Sequence, residues 1–167
     1  MKSWVVFVLL SLLSGCITPY APPLTGDLAT LTIANDSAAR VAITIYNEGA
    51  DCSGGFKYME GKVFHDPGTA KELKIAAGRP FSFIVEHPMG VVTTAAYGGT
   101  RTTSYECVNI GTVTATPNSR YRVSIGFSEG RCTLQAVEVT EQGQKSSSVL
   151  RLRGRLLPVI STMANCR

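Results

Sequence analysis

The sequence predicts an all-β fold, an antiparallel β-sandwich of about eight strands, with a small β-barrel as the alternative. Short runs rich in β-branched and aromatic residues recur along the chain, and each is bounded by Gly, Pro, Asn or Ser. The chain contains seventeen threonines, and many of them lie in these runs, as expected for pleated, half-solvated surfaces. No long amphipathic helical pattern accompanies them, so the chain is expected to consist of strands joined by turns.

Length and composition set the outer limits of this prediction. The chain has 167 residues, of which 44% are hydrophobic and 17% charged, with a net charge of +4. Such a length is typical of one domain with a sizeable core, and the composition excludes intrinsic disorder. A polytopic helical membrane protein is also excluded, because only one apolar run approaches the length of a membrane span.

The first sixteen residues have the layout of a secretory signal. Met1-Lys2 supplies a positive start, and residues 4–13 are apolar except for Ser11. That run is about half of the ~20 residues that cross a bilayer, so it predicts a signal peptide rather than a spanning helix. The tetrapeptide at its end, Leu13-Ser14-Gly15-Cys16, resembles the lipobox of bacterial lipoproteins.

This resemblance implies a covalent lipid and a location in the cell. In bacterial lipoproteins the cysteine of the box carries a diacylglycerol, cleavage removes the residues before it, and its amine is acylated. Residues 1–15 would then be the signal peptide, and the lipid on Cys16 would be the one cofactor and the membrane anchor. Ile17 stands where an aspartate retains enteric lipoproteins in the inner membrane, so the resemblance implies the outer membrane, with the domain in the periplasm.

Residues 16–27 are predicted to be the lipidated cysteine and a proline-rich tether. Residues 17–27 contain three prolines and one glycine and have no hydrophobic period. Fully extended, they would reach roughly 30–35 Å at ~3.1 Å per residue, enough to hold a domain clear of the headgroups. Residues 28–167 are then expected to form a single disulfide-bonded β-domain.

The predicted strands of this domain follow in chain order. Residues 28–33 and 41–45 flank the turn signal Asn35-Asp36-Ser37 and suggest a hairpin. Residues 66–78 fit either a short helix or a strand in which Leu73 and Ile75 alternate with polar residues. The remaining predicted strands span residues 81–85, 91–97, 105–115, 121–127 and 132–140.

One short motif favours the sandwich over the barrel. The segment from Pro117 to Val123 resembles the tyrosine corner of immunoglobulin-like and fibronectin-type sandwiches. The resemblance implies that Tyr121 bonds its hydroxyl back to upstream backbone and that Val123 points inward. Because Val123 stands where antibody domains have a cysteine, the expected fold is immunoglobulin- or fibronectin-like without being of the antibody type.

Four cysteines follow Cys16, and the chain is expected to be exported to an oxidising compartment, so two disulfides are expected. If residues 117–119 turn a hairpin, Cys107 falls opposite residue 129 and close to Cys132, which favours Cys107–Cys132. Cys52 would then pair with Cys166 near the C-terminus. A zinc site is the alternative, but the chain lacks the close Cys-x-x-Cys spacing usual for one, so no metal is expected.

The C-terminal part of the chain is basic. Residues 111–167 carry eight basic and three acidic side chains. Arg151, Arg153 and Arg155 alternate, so an extended strand would place all three on one face. They form a candidate basic binding face for an anionic partner such as lipid headgroups, an acidic glycan or an acidic envelope protein. The alternative is a solvated edge strand, and no nucleic acid is expected to bind an exported protein.

No catalytic arrangement is evident in the sequence, and we expect no enzyme. Asp66 follows His65 and Glu86 precedes His87, but neighbouring residues on a strand point to opposite faces. A Gly-x-Ser-x-Gly nucleophile motif is absent. The sequence therefore favours a non-catalytic binding or scaffold module of the cell envelope, in a secretion or surface assembly. The alternative is a periplasmic inhibitor of a hydrolase such as lysozyme.

Overall fold

The computed structural model describes residues 19–61, 64–96, 99–128 and 131–153. Within these ranges no helix is long and apolar enough to cross a membrane. A short 3₁₀ turn spans Met59–Gly61. The strands are β1 (Leu28–Asn35), β2 (Val41–Glu48), β3 (Ser53–Tyr58), β4 (Phe64–His65), β5 (Ala70–Ala76), β6 (Pro80–Ala96), β7 (Gly99–Thr114), β8 (Arg120–Ser128), β9 (Arg131–Thr140), β10 (Gly143–Ser146) and β11 (Leu150–Arg153).

The strands form two sheets that pack face to face as a sandwich and do not close into a barrel, which confirms the predicted sandwich. The pairing is antiparallel as predicted except between β1 and β8, which are parallel. The first sheet has the order β10-β9-β8-β1-β5. The second sheet has the order β11-β7-β6-β2-β3, and β4 also pairs with β2. The described strands outnumber the predicted eight because the short strands β3, β4 and β10 have no apolar alternation that sequence reasoning could detect, and β11 was considered only as a possible extended strand.

The core lies between the sheets and follows the alternation of the sequence. On β2, Val41, Ile43 and Ile45 point inward and are completely buried. They meet Phe83 of β6 in the same sheet and Ile33 of β1 in the facing sheet, both of which are also buried. Burial of such side chains is worth about 1.5–3 kcal/mol each and is the main stabilisation of a sandwich.

The predicted hairpin between residues 28–33 and 41–45 is wrong, because β1 and β2 lie in different sheets. The turn signal between them is instead a corner organised by the buried side chain of Asn35. Its Oδ1 accepts hydrogen bonds from the backbone N (3.1 Å) and Oγ (2.6 Å) of Ser37. Its Nδ2 donates to the carbonyl oxygens of Ala39 (2.9 Å) and His65 (3.1 Å). These bonds hold the chain while it crosses from one sheet to the other.

A second corner replaces the hairpin that was expected at residues 117–119. β7 belongs to the second sheet and β8 to the first, so this segment also joins the sheets. The Tyr121 hydroxyl lies 2.8 Å from Oγ1 of Thr116, so its upstream partner is a side chain rather than the backbone atom expected for a tyrosine corner. Val123 is completely buried, as predicted.

The ambiguous segment 66–78 contains a strand and no helix. β5 pairs antiparallel with β1, with Leu73 opposite Leu31. Leu73 and Ile75 point into the core while Glu72 and Lys74 face solvent, which is the two-residue period of a strand. Pairing with β1 is a long-range contact that the local sequence does not reveal, and it decides between the two alternatives.

Candidate functional site

The long hairpin of β6 and β7 continues beyond the rest of its sheet. β2 pairs with β6 only as far as Glu86, and β11 pairs with β7 only as far as Ile110. From His87 opposite Cys107 to Ala96 opposite Gly99, the two strands pair only with each other within the described chain. We call residues 87–96 and 99–107 the ribbon. Its length is roughly 30 Å at ~3.4 Å per residue.

The sequence patterns predicted parts of the ribbon strands but not that they are continuous with the strands of the sheet. They separated residues 81–85 from 91–97, because Pro88 and Gly90 interrupt the apolar pattern. In the structure the β6–β7 register shifts between Pro88 and Gly90, so a bulge accommodates both residues inside one strand. The signal that could have revealed the hairpin is the presence of two glycines, Gly98 and Gly99, between two β-rich runs, because glycine is frequent in tight turns.

Four residues tie the two sheets together at the base of the ribbon, and we call them the clamp. His87 lies opposite Cys107 in the second sheet, and Phe127 lies opposite Cys132 in the first. The Cys107–Cys132 disulfide joins the sheets, with Cα atoms 6.0 Å apart. Beside it the His87 ring stacks on the Phe127 ring, with centroids 5.1 Å apart and planes inclined by 15°.

The predicted pairing Cys107–Cys132 is thus confirmed, but the reason given for it is wrong. The two cysteines do not flank one hairpin, since β7 and β9 lie in opposite sheets and the disulfide crosses the sandwich. Cys52 is also disulfide-bonded. Cys166, its predicted partner, lies outside the described residues, so the pairing Cys52–Cys166 stays a prediction.

The predicted basic face lies partly on β11, at one edge of the second sheet. Arg151 lies opposite Thr112 and Arg153 opposite Ile110, so both arginines are on the outer face of that sheet, as their alternation predicts. Arg151 is exposed. Arg155 lies outside the described residues. The face therefore combines two arginines of known position with a third whose position stays a prediction.

Arg153 also has a structural contact, with the loop between β2 and β3. Its Nη1 donates a hydrogen bond of 2.6 Å to the carbonyl oxygen of Ala50. The neighbouring carbonyl of Gly49 accepts one of 2.5 Å from Ser82 Oγ. Cys52, in the same loop, packs on Ile84 and Ile110 of the outer face. The loop thus covers the centre of that face and leaves Arg151 as the more accessible of the two arginines.

The N-terminal segment is docked on the domain from its first described residue. Pro19 forms a parallel bridge with Tyr58 of β3, and the backbone N of Tyr20 donates a hydrogen bond of 3.0 Å to the Tyr58 carbonyl. The Tyr20 ring packs edge-on against Phe81, with centroids 5.5 Å apart. The Tyr20 hydroxyl donates a 3.0 Å hydrogen bond to the carbonyl of Lys74 on β5. Burial raises the pKa of this hydroxyl above its ordinary value.

Tyr20 therefore bridges the two sheets at the edge where β3 and β5 end them. This part of the predicted tether is not free, contrary to the expectation of an extended spacer. Sequence reasoning missed the contact because the segment has no hydrophobic period, and a single tyrosine among prolines gives no local signal.

Both histidines are buried. Asp66 is exposed and forms an ion pair of 2.8 Å with Arg40, while His65 lies beneath the surface beside Asn35. His65 borders a cavity of about 30 Å³, which has room for roughly one water molecule and not for a substrate. No group of three or more His, Cys, Asp or Glu side chains that could hold a metal ion occurs among the residues that the structure describes.

Comparison of the chain with protein-family models, with curated proteins and with solved structures finds no match. The candidate functional site therefore has three parts: the ribbon with its clamp, the arginines of β11, and the edge on which the N-terminal segment is docked.

Proposed function

We propose that this protein is a lipid-anchored binding or scaffold module of the cell envelope, held at the outer membrane with its domain in the periplasm. The support for the anchor is the lipobox Leu13-Ser14-Gly15-Cys16 after a short apolar run, and the support for the outer membrane is Ile17 at the position after the cysteine. The lipid on Cys16 is its one proposed cofactor.

The binding role is carried by one observation: among the residues that the structure describes, no third strand pairs with the ribbon. A two-stranded ribbon leaves about half of the backbone N–H and C=O groups of each strand unpaired along its outer edges. Such edges accept an added strand from a partner, in which main-chain hydrogen bonds supply affinity and alternate side chains supply specificity. An isolated hairpin of this kind is at best marginally stable in water, so pairing with a partner strand would stabilise it.

The clamp supports this role because it fixes the base of the ribbon. The Cys107–Cys132 disulfide and the His87–Phe127 stack join the two sheets where the ribbon begins. A ribbon mounted on a rigid base loses less orientational freedom when it binds, and the affinity rises accordingly. The proposed partner is a protein of the envelope that offers a sheet edge or an extended segment.

The role is proposed to be non-catalytic. His65 and His87 are both buried, and the carboxylate of Asp66 is engaged by Arg40 on the surface. An acid–base pair has to lie within hydrogen-bond reach of a substrate, and the cavity of about 30 Å³ beside His65 is too small for one.

The ribbon can be shortened without cutting the sandwich. Val91 and Ser104 are register partners, so the residues between them can be replaced by an Asn-Gly turn. We expect this variant to retain the thermal unfolding of the sandwich but to lose the envelope protein that in-cell crosslinking and mass spectrometry identify with the full chain. Arg151→Gln, which leaves the ribbon intact, is the matched control and should keep that partner.

Several outcomes would contradict the proposal. Unchanged recovery of the partner with the shortened ribbon would exclude the ribbon as the binding element, and loss with Arg151→Gln alone would move the site to β11. Failure of the full chain to recover any envelope protein would contradict the binding role. Inhibition of a lysozyme at nanomolar concentrations of the protein would replace it by the inhibitor function.

A further inference from the structure

The docked N-terminal segment leaves little chain between the proposed anchor and the domain. Pro19 and Tyr20 are fixed to β3 and β5 by backbone and side-chain bonds. Only Ile17 and Thr18 separate Pro19 from Cys16. Three peptide links span at most about 11 Å between Cα atoms, since an extended chain covers ~3.3–3.6 Å per residue.

We propose that the edge of the sandwich formed by β3, β4 and β5 lies directly against the membrane that holds the anchor. This inference rests on the proposed lipidation of Cys16. A lipid-modified cysteine sits at the headgroup level, so a residue within about 11 Å of it is also at the membrane surface. The bilayer is thus the occupant of this edge, which we call the membrane edge.

The sheet orders then fix the orientation of the whole domain. β3 and β5 are the terminal strands of their sheets, and β11 and β10 are the opposite terminal strands. Four interstrand spacings of ~4.8 Å separate the two edges of each sheet, which is about 19 Å. The sheets therefore stand on edge with their strands parallel to the membrane surface, and β10 and β11 are directed away from it.

The charges of the membrane edge agree with a phosphate-bearing surface. Lysines outnumber glutamates by three to two on β3, the 3₁₀ turn, β4 and β5. Both glutamates are engaged in ion pairs, Glu60 with Lys71 and Glu72 with Arg120. Phe64 on β4 is half-exposed and carries Arg40 over its ring at 5.6 Å, an amphipathic pair typical of membrane interfaces.

Single tryptophans can report this orientation. The only tryptophan of the chain is Trp4, which leaves with the proposed signal peptide. Phe64→Trp places a probe on the membrane edge, since the β2 partner of Phe64, Ala42, is two residues from the β2 partner of Tyr58. Leu152→Trp is the matched probe on the opposite edge of the same sheet, and Leu152 is 57% exposed.

The test uses the purified lipidated protein in vesicles of phosphatidylethanolamine and phosphatidylglycerol with a dansyl headgroup label. We expect energy transfer from Phe64→Trp to dansyl to be at least about twofold greater than from Leu152→Trp, because the edges differ by ~19 Å. A flexible spacer inserted between Ile17 and Thr18 should lower the transfer from Phe64→Trp. The same spacer inserted between Pro23 and Leu24, beyond the docked residues, should not.

Other outcomes would contradict either the membrane edge or the anchor. Equal transfer from the two probes, or insensitivity to the first spacer, would overturn the membrane edge while leaving the anchor in place. Mass spectrometry of the N-terminal peptide tests the anchor separately. An unmodified Cys16, or tryptophan emission from the mature protein without an introduced probe, would overturn the lipidation and this inference with it.

Discussion

At the scale of single residues, Tyr20 links the N-terminal segment to both sheets through one ring and one hydroxyl. Its ring contacts Phe81 of β6, and its hydroxyl donates to the Lys74 carbonyl of β5. Because burial raises the pKa of Tyr20, the folded protein holds this proton at pH values where the unfolded chain releases it. The resulting contribution to stability is complete below about pH 10, the ordinary tyrosine pKa, and is lost as the pH rises through the folded value.

We therefore expect Tyr20→Phe to lower the free energy of unfolding by about 0.5–1.5 kcal/mol at neutral pH, the usual value of one lost hydrogen bond. The variant should also lose less stability above about pH 10 than the unchanged protein does. Denaturant unfolding at a series of pH values measures both effects. Tyr20→Ala, which also removes the ring contact, is the control and should be the less stable variant. Identical pH dependence with and without the Tyr20 hydroxyl would contradict the assignment.

The packing of the core also depends on Gly111 of β7. A Cβ atom at this position would lie 2.7 Å from Cζ of the completely buried Phe83 and 3.1 Å from Cδ1 of Leu150. The missing side chain therefore makes room for the Phe83 ring between the sheets.

We expect Gly111→Ala to destabilise the protein by about 1–3 kcal/mol, because the well-packed ring has to move. Gly126→Ala is the matched control in β8, where the nearest contact is the Thr133 hydroxyl at 2.8 Å and no ring is displaced. Thermal unfolding of the two variants compares them directly. Equal destabilisation at both positions would show that loss of glycine in a strand, and not contact with Phe83, governs the effect.

At the scale of strands, the clamp separates the β6–β7 hairpin into a part inside the sheet and the ribbon. Inside the sheet each strand has two neighbours, whereas in the ribbon each has one among the described strands. Local opening is easiest where buried contacts are few and backbone hydrogen bonds are exposed to solvent.

We expect hydrogen exchange to be faster in the ribbon than in residues 81–86 and 108–113. Replacing both Cys107 and Cys132 by serine should lower the free energy of unfolding by roughly 3 kcal/mol on the chain-entropy model, because the two cysteines are 25 residues apart. It should also extend the fast exchange inward past His87. Exchange that stays uniform along both strands, before and after the replacement, would contradict the role of the clamp.

Local sequence patterns predicted most strands and the sandwich. They failed where a strand pairs with a segment that is distant in the sequence. The alternation of Val41, Ile43 and Ile45 identified both the strand and its buried face. The turn after Asn35 was recognised, but a turn signal does not distinguish a hairpin from a corner between sheets, because both need the same local geometry. The disulfide Cys107–Cys132 was predicted from a hairpin that does not exist, so its confirmation owes nothing to that reasoning.

The candidate site was the least predictable part for the same reason. The arginine alternation of β11 needs only the strand period, and it holds for Arg151 and Arg153. The clamp needs two cross-strand registers and the packing of two sheets, and the docked Tyr20 needs the edge strands of both sheets. None of these is encoded within a short window of sequence.

At the scale of the whole molecule, the proposed orientation separates the two charged surfaces. Arg151 is on β11, the terminal strand opposite β3. In the proposed orientation it would be directed away from the membrane, and lipid headgroups of the anchoring leaflet would not be its partner. We expect Arg151→Gln to leave energy transfer from the Phe64→Trp probe unchanged in vesicles with low or high phosphatidylglycerol content. A change that depends on the anionic lipid would place Arg151 at the membrane and contradict the orientation.

The parallel pairing of β1 with β8 also has a consequence for biogenesis. Thr30 is paired with Arg120. An interior strand of the first sheet, β1, therefore pairs with a strand that lies 90 residues later in the chain. Contacts of such high sequence separation form slowly, because a long loop has to close before they contribute. The first half of the chain therefore lacks the partners needed to complete this sheet. If the protein is exported as proposed, the chain would stay unfolded enough to pass through a translocation pore, and the first sheet would be completed only after residues 120–125 have emerged.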